Sequence, residues 1–497
     1  MSAGQTPNSE PARSGVPFPQ DLPTGLLIDG SWRPSSNTGT FEVIDPATEE
    51  VFATAVSASA GDIDEALASV QRGWSAWRNV DAWTRSAALR RVAEIIRDWS
   101  ARMALVLTSE QGKPLPEARS EILAAADQFD WYADEARRLY GRTVDGHNNQ
   151  QRIIVRREPV GPVVAFSTWN FPALLPARKL APALAAGCSV IVVPSEEAPF
   201  TATLVAQACI EAGVHPSAIA LLAGDTAMIS DRLLRSTVVR KISLTGSVPV
   251  GRALLRAAAE NIIPTTMELG GHAPVLVFAD ADIALAARSC VQAKYRNAGQ
   301  VCASPSRFYV HESVADEFTH AFVTAAQALT VGDGRDPSTD VGPLSSDRRR
   351  LAADRLIEDA IMKGAKMADG GGRATEHKCG YYYRPTVLSG TRAGMAIMTE
   401  EPFAPVAPIS QFGDFDEVLE QANSTPYGLA SYVFTRDLRT AYLASEGLEA
   451  GMVGVNTMLI ATAEAPFGGV RSSGYGREGG PEGIDSYTVT KYVNMSI

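Results

Sequence analysis

Four apolar runs decide the fold: Val163-Val164-Ala165-Phe166-Ser167-Thr168, Ser189-Val190-Ile191-Val192-Val193, Ile219-Ala220-Leu221-Leu222-Ala223 and Val238-Val239-Arg240-Lys241-Ile242-Ser243-Leu244. Each is short and is followed, after a few residues, by a helical pattern. Residues 172–186 read as a helix closed by Gly187, 200–212 as one closed by Gly213, and 250–259 as another. Strands that alternate with helices over short loops specify a parallel, doubly wound α/β sheet. Such strands are covered on both faces, so they are apolar throughout, as Val190-Ile191-Val192-Val193 is.

Outward from this block the α/β rhythm continues. Strands are predicted at 273–278, 307–310 and 452–455, and helices at 283–295 and 314–329. Upstream, Ile63, Leu67, Val70, Trp74 and Trp77 recur at helical spacing, with Asp62 or Gly61 as the expected cap. Leu89, Val92, Ile96, Trp99 and Met103 repeat the pattern. Both stripes read as core. Residues 1–24 are rich in Ser, Pro and Gly without a period, which predicts a mobile tail. They show no basic n-region and no apolar h-region, so no secretory signal is expected.

The chain has 497 residues, enough for about three domains. Hydrophobic residues make up 45% and charged residues 20%, which excludes a mainly disordered protein. Forty-five Lys+Arg against 56 Asp+Glu leave a net charge of −11. No basic stripe offers itself to nucleic acid or to a membrane surface. The stretch 180–193 is too short to span a bilayer and carries Pro182 and Gly187. Cys188, Cys209, Cys290, Cys302 and Cys379 form neither a disulfide ladder nor a zinc pattern, so no metal site is expected. A reducing, cytoplasmic setting follows.

Several short motifs can carry chemistry. Gly474-Tyr475-Gly476-Arg477-Glu478-Gly479 has dinucleotide-fingerprint spacing but opens no βαβ unit, so it is set aside. The turn Leu244-Thr245-Gly246-Ser247 at a strand-to-helix junction suits a pyrophosphate better. Cys302 follows Gly299 and small residues that permit a bent backbone and an exposed sulfur. Glu268 ends a strand predicted at 265–269, beside Gly270-Gly271, where a carboxylate can swing as a base. Asn170, in Trp169-Asn170-Phe171-Pro172, stands at the carboxyl end of a parallel strand, where open α/β sheets place ligands. Arg348-Arg349-Arg350 reads as a solvated helix face rather than a phosphate site. Taken singly, each of these residues has an ordinary structural reading; together they point to a covalent, cofactor-assisted reaction.

Their order along the chain resembles that of the aldehyde dehydrogenase superfamily, from about Leu26 to the C-terminus. The matching stretches are Trp169-Asn170-Phe171-Pro172, Leu244-Thr245-Gly246-Ser247, Met267-Glu268-Leu269-Gly270-Gly271, Gly299-Gln300-Val301-Cys302, Glu400-Glu401-Pro402-Phe403 and Pro466-Phe467-Gly468-Gly469. The resemblance implies NAD-dependent oxidation of an aldehyde to its acid through a cysteine thiohemiacetal and thioester. It implies Cys302 as nucleophile, Glu268 as the base that activates water, and Asn170 with the Cys302 N–H as oxyanion donors. Thr168, Trp169, Glu196, Gly246, Ser247, Glu401 and Phe403 would meet the cofactor, and Phe467 would line the aldehyde tunnel.

Within that superfamily the chain is most similar to succinate-semialdehyde dehydrogenases. Arg178 and Arg296 match two arginines that such enzymes use for the substrate carboxylate, whereas Ala461 replaces a serine of that site. The family's usual Lys before Pro194-Ser195-Glu196 is Val193 here, Leu244 replaces a usual Phe, Ala404 a usual Gly, and His272 a usual Asn or Lys. Glu196 would accept from the adenosine ribose and repel a 2′-phosphate, so NAD is expected over NADP. The resemblance implies an NAD-binding domain from 25–139 and 162–268, a catalytic domain from 269–470, and an oligomerisation element from 140–161 and 471–497. It further implies a homodimer or homotetramer.

Overall fold

The structure, a computed structural model, describes residues 22–496. The mobile tail expected at 1–24 therefore lies outside the described residues as far as Asp21. Thr24 is already fixed, its carbonyl accepting from the Val56 N–H at 3.0 Å.

An eight-stranded sheet holds all four decisive runs. Its five central strands are parallel, in the order Thr265–Glu268, Lys241–Thr245, Val163–Phe166, Val190–Val193, Ile219–Leu221. Leu26–Ile28 and Ser31–Arg33 extend one edge antiparallel, and Gly474–Tyr475 closes the other. The chain runs outward from Val163–Phe166 in one direction and then returns to lay Lys241–Thr245 on its other side. That reversal is the crevice where doubly wound sheets bind ligands. Val190, Ile191, Val192 and Val193 are fully buried because helices cover both faces.

The helix Leu174–Ala186 ends at Gly187, whose φ of 94° suits a left-handed cap. The helix Ala60–Trp77 is not capped by Asp62 or Gly61. Ser59 is the cap, accepting from the Asp62 N–H at 3.2 Å, and the Asp62 carboxylate accepts from the Ser59 N–H at 2.9 Å. Asp62 stands third in the helix, so its carboxylate reaches back and completes a capping box.

A second, seven-stranded sheet follows, in the order Lys366–Asp369, Thr386–Ser389, Val406–Phe412, Pro305–His311, Ala273–Val277, Ala430–Phe434, Met452–Val455. All its pairings are parallel except the first. Thr488–Ser496, Gln151–Pro159 and Arg142–Asp145 form a separate antiparallel sheet. The segment 471–497 is thus divided: Gly474–Tyr475 pairs with Thr265–Glu268, and only Thr488–Ser496 joins the small sheet. Tyr475 has too short an apolar context to announce a strand. Among the described residues, no helix is long and apolar enough to cross a membrane, and no cluster of His, Cys, Asp and Glu could hold a metal ion.

Candidate active site

Helix and strand ends converge on the switch-point crevice. A narrow cavity of about 100 Å3 is lined by Thr168, Trp169 and Asn170 after one central strand, and by Thr245, Gly246 and Ser247 after its neighbour. Leu175, Leu269, Gly270, Cys302, Arg349, Glu401 and Phe403 complete the wall. The sequence places these residues up to 235 positions apart (403 − 168); the topology brings them together.

Cys302 is aimed by a backbone turn that few residues tolerate. Asn297, Ala298 and Gly299 follow one another with φ of 50°, 53° and 75°. Left-handed conformations cost about 1 kcal/mol or more each for non-glycine residues, so surrounding groups must impose them. The Asn297 N–H donates to Glu117 Oε2 at 2.8 Å, Gln111 Nε2 donates to Asn297 Oδ1 at 2.9 Å, and Asn297 Nδ2 donates to the Asn170 carbonyl at 3.0 Å. At Gly299 a Cβ would stand 2.2 Å from the Ala404 carbonyl oxygen, so no side chain fits. The Cys302 carbonyl faces Gly271 closely enough that a Cβ there would lie 2.5 Å from it.

Asn170 is oriented from both ends. Its Oδ1 accepts from the Thr168 hydroxyl at 2.6 Å, which turns the amide nitrogen toward the Cys302 loop, where it donates to the Gln300 carbonyl at 3.1 Å. Lys113, buried and paired with Glu121 at 2.6 Å, donates to the Asn170 carbonyl at 2.7 Å. Asn170 is thus an amide donor fixed beside the nucleophile's loop.

Glu268 ends its strand fully buried, and neither carboxylate oxygen has a hydrogen-bond partner among the described residues. Burial pushes its pKa well above the usual carboxylate range, and the nearby Glu478 carboxylate adds to the rise; Lys179, Arg178 and Arg477 oppose it. Lys179 forms a fully buried ion pair with Glu478 and also donates to the Thr245 hydroxyl at 2.7 Å. Reading the sequence missed this pair. The partners are 299 residues apart, and Glu478 sits inside the set-aside glycine motif.

The Cys302 thiol is pushed up to about 12 by burial, with Arg178 pulling it down and Glu268 and Glu401 adding to the rise. The thiol is therefore protonated near neutrality, and a thiolate forms only as a base accepts its proton. Alkylation of Cys302 by iodoacetamide, followed by peptide mapping, should rise about tenfold per pH unit below that pKa. Arg178→Met should slow it at every pH, because removing the cation raises the thiol pKa further. An unchanged rate would show that Arg178 does not act on the sulfur.

Glu401 accepts from the Gly271 N–H at 3.0 Å and is raised to about 7 by burial, against the pull of that N–H, Arg349 and Lys294. Phe403 has φ of 44° and meets Trp169 edge-on at 5.7 Å. The helix Val248–Ala259 follows Ser247, which lines the cavity and whose side chain makes no cap hydrogen bond, so its hydroxyl stands at the cavity wall. An uncapped helix N-terminus is an anion-binding end. On this wall Gly246 and Ser247 can meet a pyrophosphate, Glu401 a ribose, and Trp169 with Phe403 a nicotinamide ring.

The remaining expected residues fall in different places. Glu196 is exposed after Val190–Val193 and does not line the cavity. Arg178 is buried, with its guanidinium carbon 4.1 Å from the Phe467 ring centre. It lines an open cavity of about 460 Å3 together with Ala461. Arg296 does not line that cavity. It is exposed and lies over the Phe171 ring at 5.3 Å, because the left-handed turn that follows redirects the chain. His272 is buried against Ser306 at 2.9 Å and lowered well below the usual imidazole range by burial, hence a neutral packing residue. The arginine run departs from expectation: Arg348 is solvated, but Arg349 turns inward onto Trp169 and Phe403 at 5.2 and 5.5 Å.

The chain is similar along most of its length to proteins of known activity. It is 44% identical to 4-(hydroxymethyl)benzenesulfonate dehydrogenase of Comamonas testosteroni, over 94% of this chain and 97% of that one. It is 39% identical to glutarate-semialdehyde dehydrogenase of Pseudomonas putida, over 95% and 97%. The crystal structure of succinate-semialdehyde dehydrogenase from Burkholderia pseudomallei superposes with a TM-score of 0.94 at 41% identity, covering 97% of this chain and all of that one. Residues 32–493 match the model of the aldehyde dehydrogenase family, and the chain belongs to that family.

Proposed function

We propose that this aldehyde dehydrogenase oxidises a short aldehyde bearing an anion at its far end, succinate semialdehyde first and glutarate semialdehyde second. Arg178 carries this reading. It is buried at the wall of the open cavity, its Nε lacks a partner among the described residues, and its charge is felt by Cys302 and Glu268. Of the carboxylates at the same rim, Asp127, Asp130 and Asp134 are paired with Arg90, Arg97 and Arg137, which leaves Glu464 as the exposed, unpaired one among the described residues. Similarity to succinate- and glutarate-semialdehyde dehydrogenases supports the choice.

In this reading Cys302 adds to the aldehyde carbon, and Asn170 Nδ2 with the Cys302 N–H stabilises the resulting oxyanion. Bound NAD supplies the acceptor for the substrate's hydride. Glu268 takes a proton from water, which cleaves the Cys302 thioester. Phe467 lines the tunnel, Thr168 orients Asn170, and Glu196 meets the adenosine ribose, which favours NAD over NADP. The eight-stranded sheet serves the cofactor, the seven-stranded sheet carries the nucleophile's loop, and the three-stranded sheet joins subunits into a dimer or tetramer in the cytoplasm.

A panel of aldehydes with NAD and NADP tests the substrate. Arg178→Ala should cost on the order of tenfold or more in kcat/KM for succinate semialdehyde relative to butyraldehyde, since a charge-assisted bond contributes roughly 1.5–3 kcal/mol. Butyraldehyde should also slow, because Arg178 acts on the thiol. Arg296→Ala, outside that cavity, should leave the discrimination unchanged. If Arg178→Ala does not alter discrimination, the carboxylate clamp fails. A second reading has one observation in its favour: Ala461, Ala463 and Ala124 leave the cavity wide beside Trp131, room for an anionic aromatic aldehyde. A carboxylated benzaldehyde in the same panel decides between them.

A further inference from the structure

The open cavity holds more polar function than an anion alone requires. Its wall includes Gln128 and Trp131, both on the helix Leu115–Glu135, and Arg178 on the helix Leu174–Ala186. Gln128 Oε1, Trp131 Nε1 and Arg178 Nε are all buried, and none has a hydrogen-bond partner among the described residues. Gln128 is only 2% exposed, so its amide is out of reach of bulk solvent. Residues three apart on a helix stand side by side on one face, with about 5–6 Å between their Cβ atoms. The amide of Gln128 and the indole N–H of Trp131 can therefore reach one group held between them. Neither residue lines the inner cavity with Cys302, so both belong to the end of the site away from the reacting carbon.

A buried polar atom left unpaired is costly, so the ligand that suits this wall answers all three atoms. Trp131 Nε1 and Arg178 can only donate, whereas Gln128 Oε1 can only accept. A carboxylate alone answers the two donors and leaves Gln128 Oε1 unpaired. A cation answers Gln128 and meets only donors at Trp131 and Arg178. A hydroxyl beside a carboxylate answers all three. The carboxylate accepts from Arg178, the hydroxyl oxygen accepts from Trp131 Nε1, and the hydroxyl proton goes to Gln128 Oε1. The small side chains of Ala124, Ala461 and Ala463 leave room for the substituent. We propose that, among short anion-bearing aldehydes, this site prefers the one with a hydroxyl on the carbon next to the carboxylate, and that Gln128 with Trp131 selects it. This rests on the reading of Arg178 as the partner of the anion.

Four aldehydes that differ only in these two groups test it with NAD: butyraldehyde, β-hydroxybutyraldehyde, succinate semialdehyde and malate semialdehyde. Malate semialdehyde is succinate semialdehyde with a hydroxyl next to its carboxylate, so each group is present with and without the other. The readout is the ratio of kcat/KM between members of a pair, which a general loss of active protein does not move. The wild type should favour malate over succinate semialdehyde by about tenfold or more, as a hydrogen bond to an otherwise unpaired buried group implies. Gln128→Leu should bring that ratio close to one, and Trp131→Phe should lower it partway. Arg178→Ala should lose the gain from the carboxylate and keep the gain from the hydroxyl between the two uncharged aldehydes. A wild type that gains from the carboxylate but not from the hydroxyl overturns this proposal alone, as does a Gln128→Leu variant that keeps the hydroxyl preference. A wild type that gains nothing from the carboxylate overturns the reading of Arg178, and the proposal with it.

Discussion

Cys302→Ala should abolish aldehyde oxidation while leaving NADH affinity little changed. The sulfur is the one thiol among the described residues lining the inner cavity, and the side chain that replaces it can form no covalent adduct. Losing it removes the covalent route rather than weakening it, so the expected effect exceeds that of any binding residue. The Cys302 loop is held by Asn297, Gln111, Glu117 and Gly299 rather than by the thiol, so alanine should leave in place the backbone N–H that we propose as an oxyanion donor. Two measurements separate the causes of inactivity. Intact-mass spectrometry after exposure to aldehyde with NAD should show no acyl adduct on the variant, and calorimetry should show unimpaired NADH binding. Turnover above background in the variant would remove Cys302 from its role.

The parts of this site that periodicity and local motif encode were legible in the sequence. Val190–Val193 announces a parallel strand because both its faces are covered, and Gly187 announces a helix end because it alone accepts the left-handed cap cheaply. Cys302, Glu268 and Asn170 stand beside glycines and strand ends, and these are local features. What escaped depends on pairing across the chain. Ser59 displaced Asp62 as the cap since either residue type can serve, and only the reciprocal hydrogen bonds decide. Gly474–Tyr475 is a strand only because Thr265–Glu268 offers it an edge. Arg349 differs from Arg348 and Arg350 by a rotation of about 100° per residue around a helix. A run of three like charges does not say which of them faces inward until Trp169 and Phe403 are in place. The Lys179–Glu478 pair has no local signature at all.

Glu268→Gln should separate the two halves of the reaction. The amide keeps the size of the carboxylate but cannot accept a proton, so hydrolysis of the Cys302 thioester should slow far more than its formation. The burial of Glu268 gives the reason. With both oxygens unpartnered among the described residues and its pKa raised by burial, the carboxylate is a stronger proton acceptor than an exposed one, as a base that acts on water must be. The neighbouring Glu478 helps to raise it, while Lys179 and Arg178 restrain the rise. In rapid mixing the variant should give a burst of reduced cofactor followed by a slow steady rate, and mass spectrometry should find the acyl-enzyme accumulating on Cys302. Removing a general base costs typically 10²–10⁴-fold, so a loss on that scale should fall on the steady rate and not on the burst. The thiol itself is raised to about 12, so some base must also relieve it of its proton before addition. If Glu268 performs that step as well, the burst slows in parallel with the steady rate and no acyl-enzyme accumulates. That outcome would reassign Glu268 from activator of water to activator of the nucleophile.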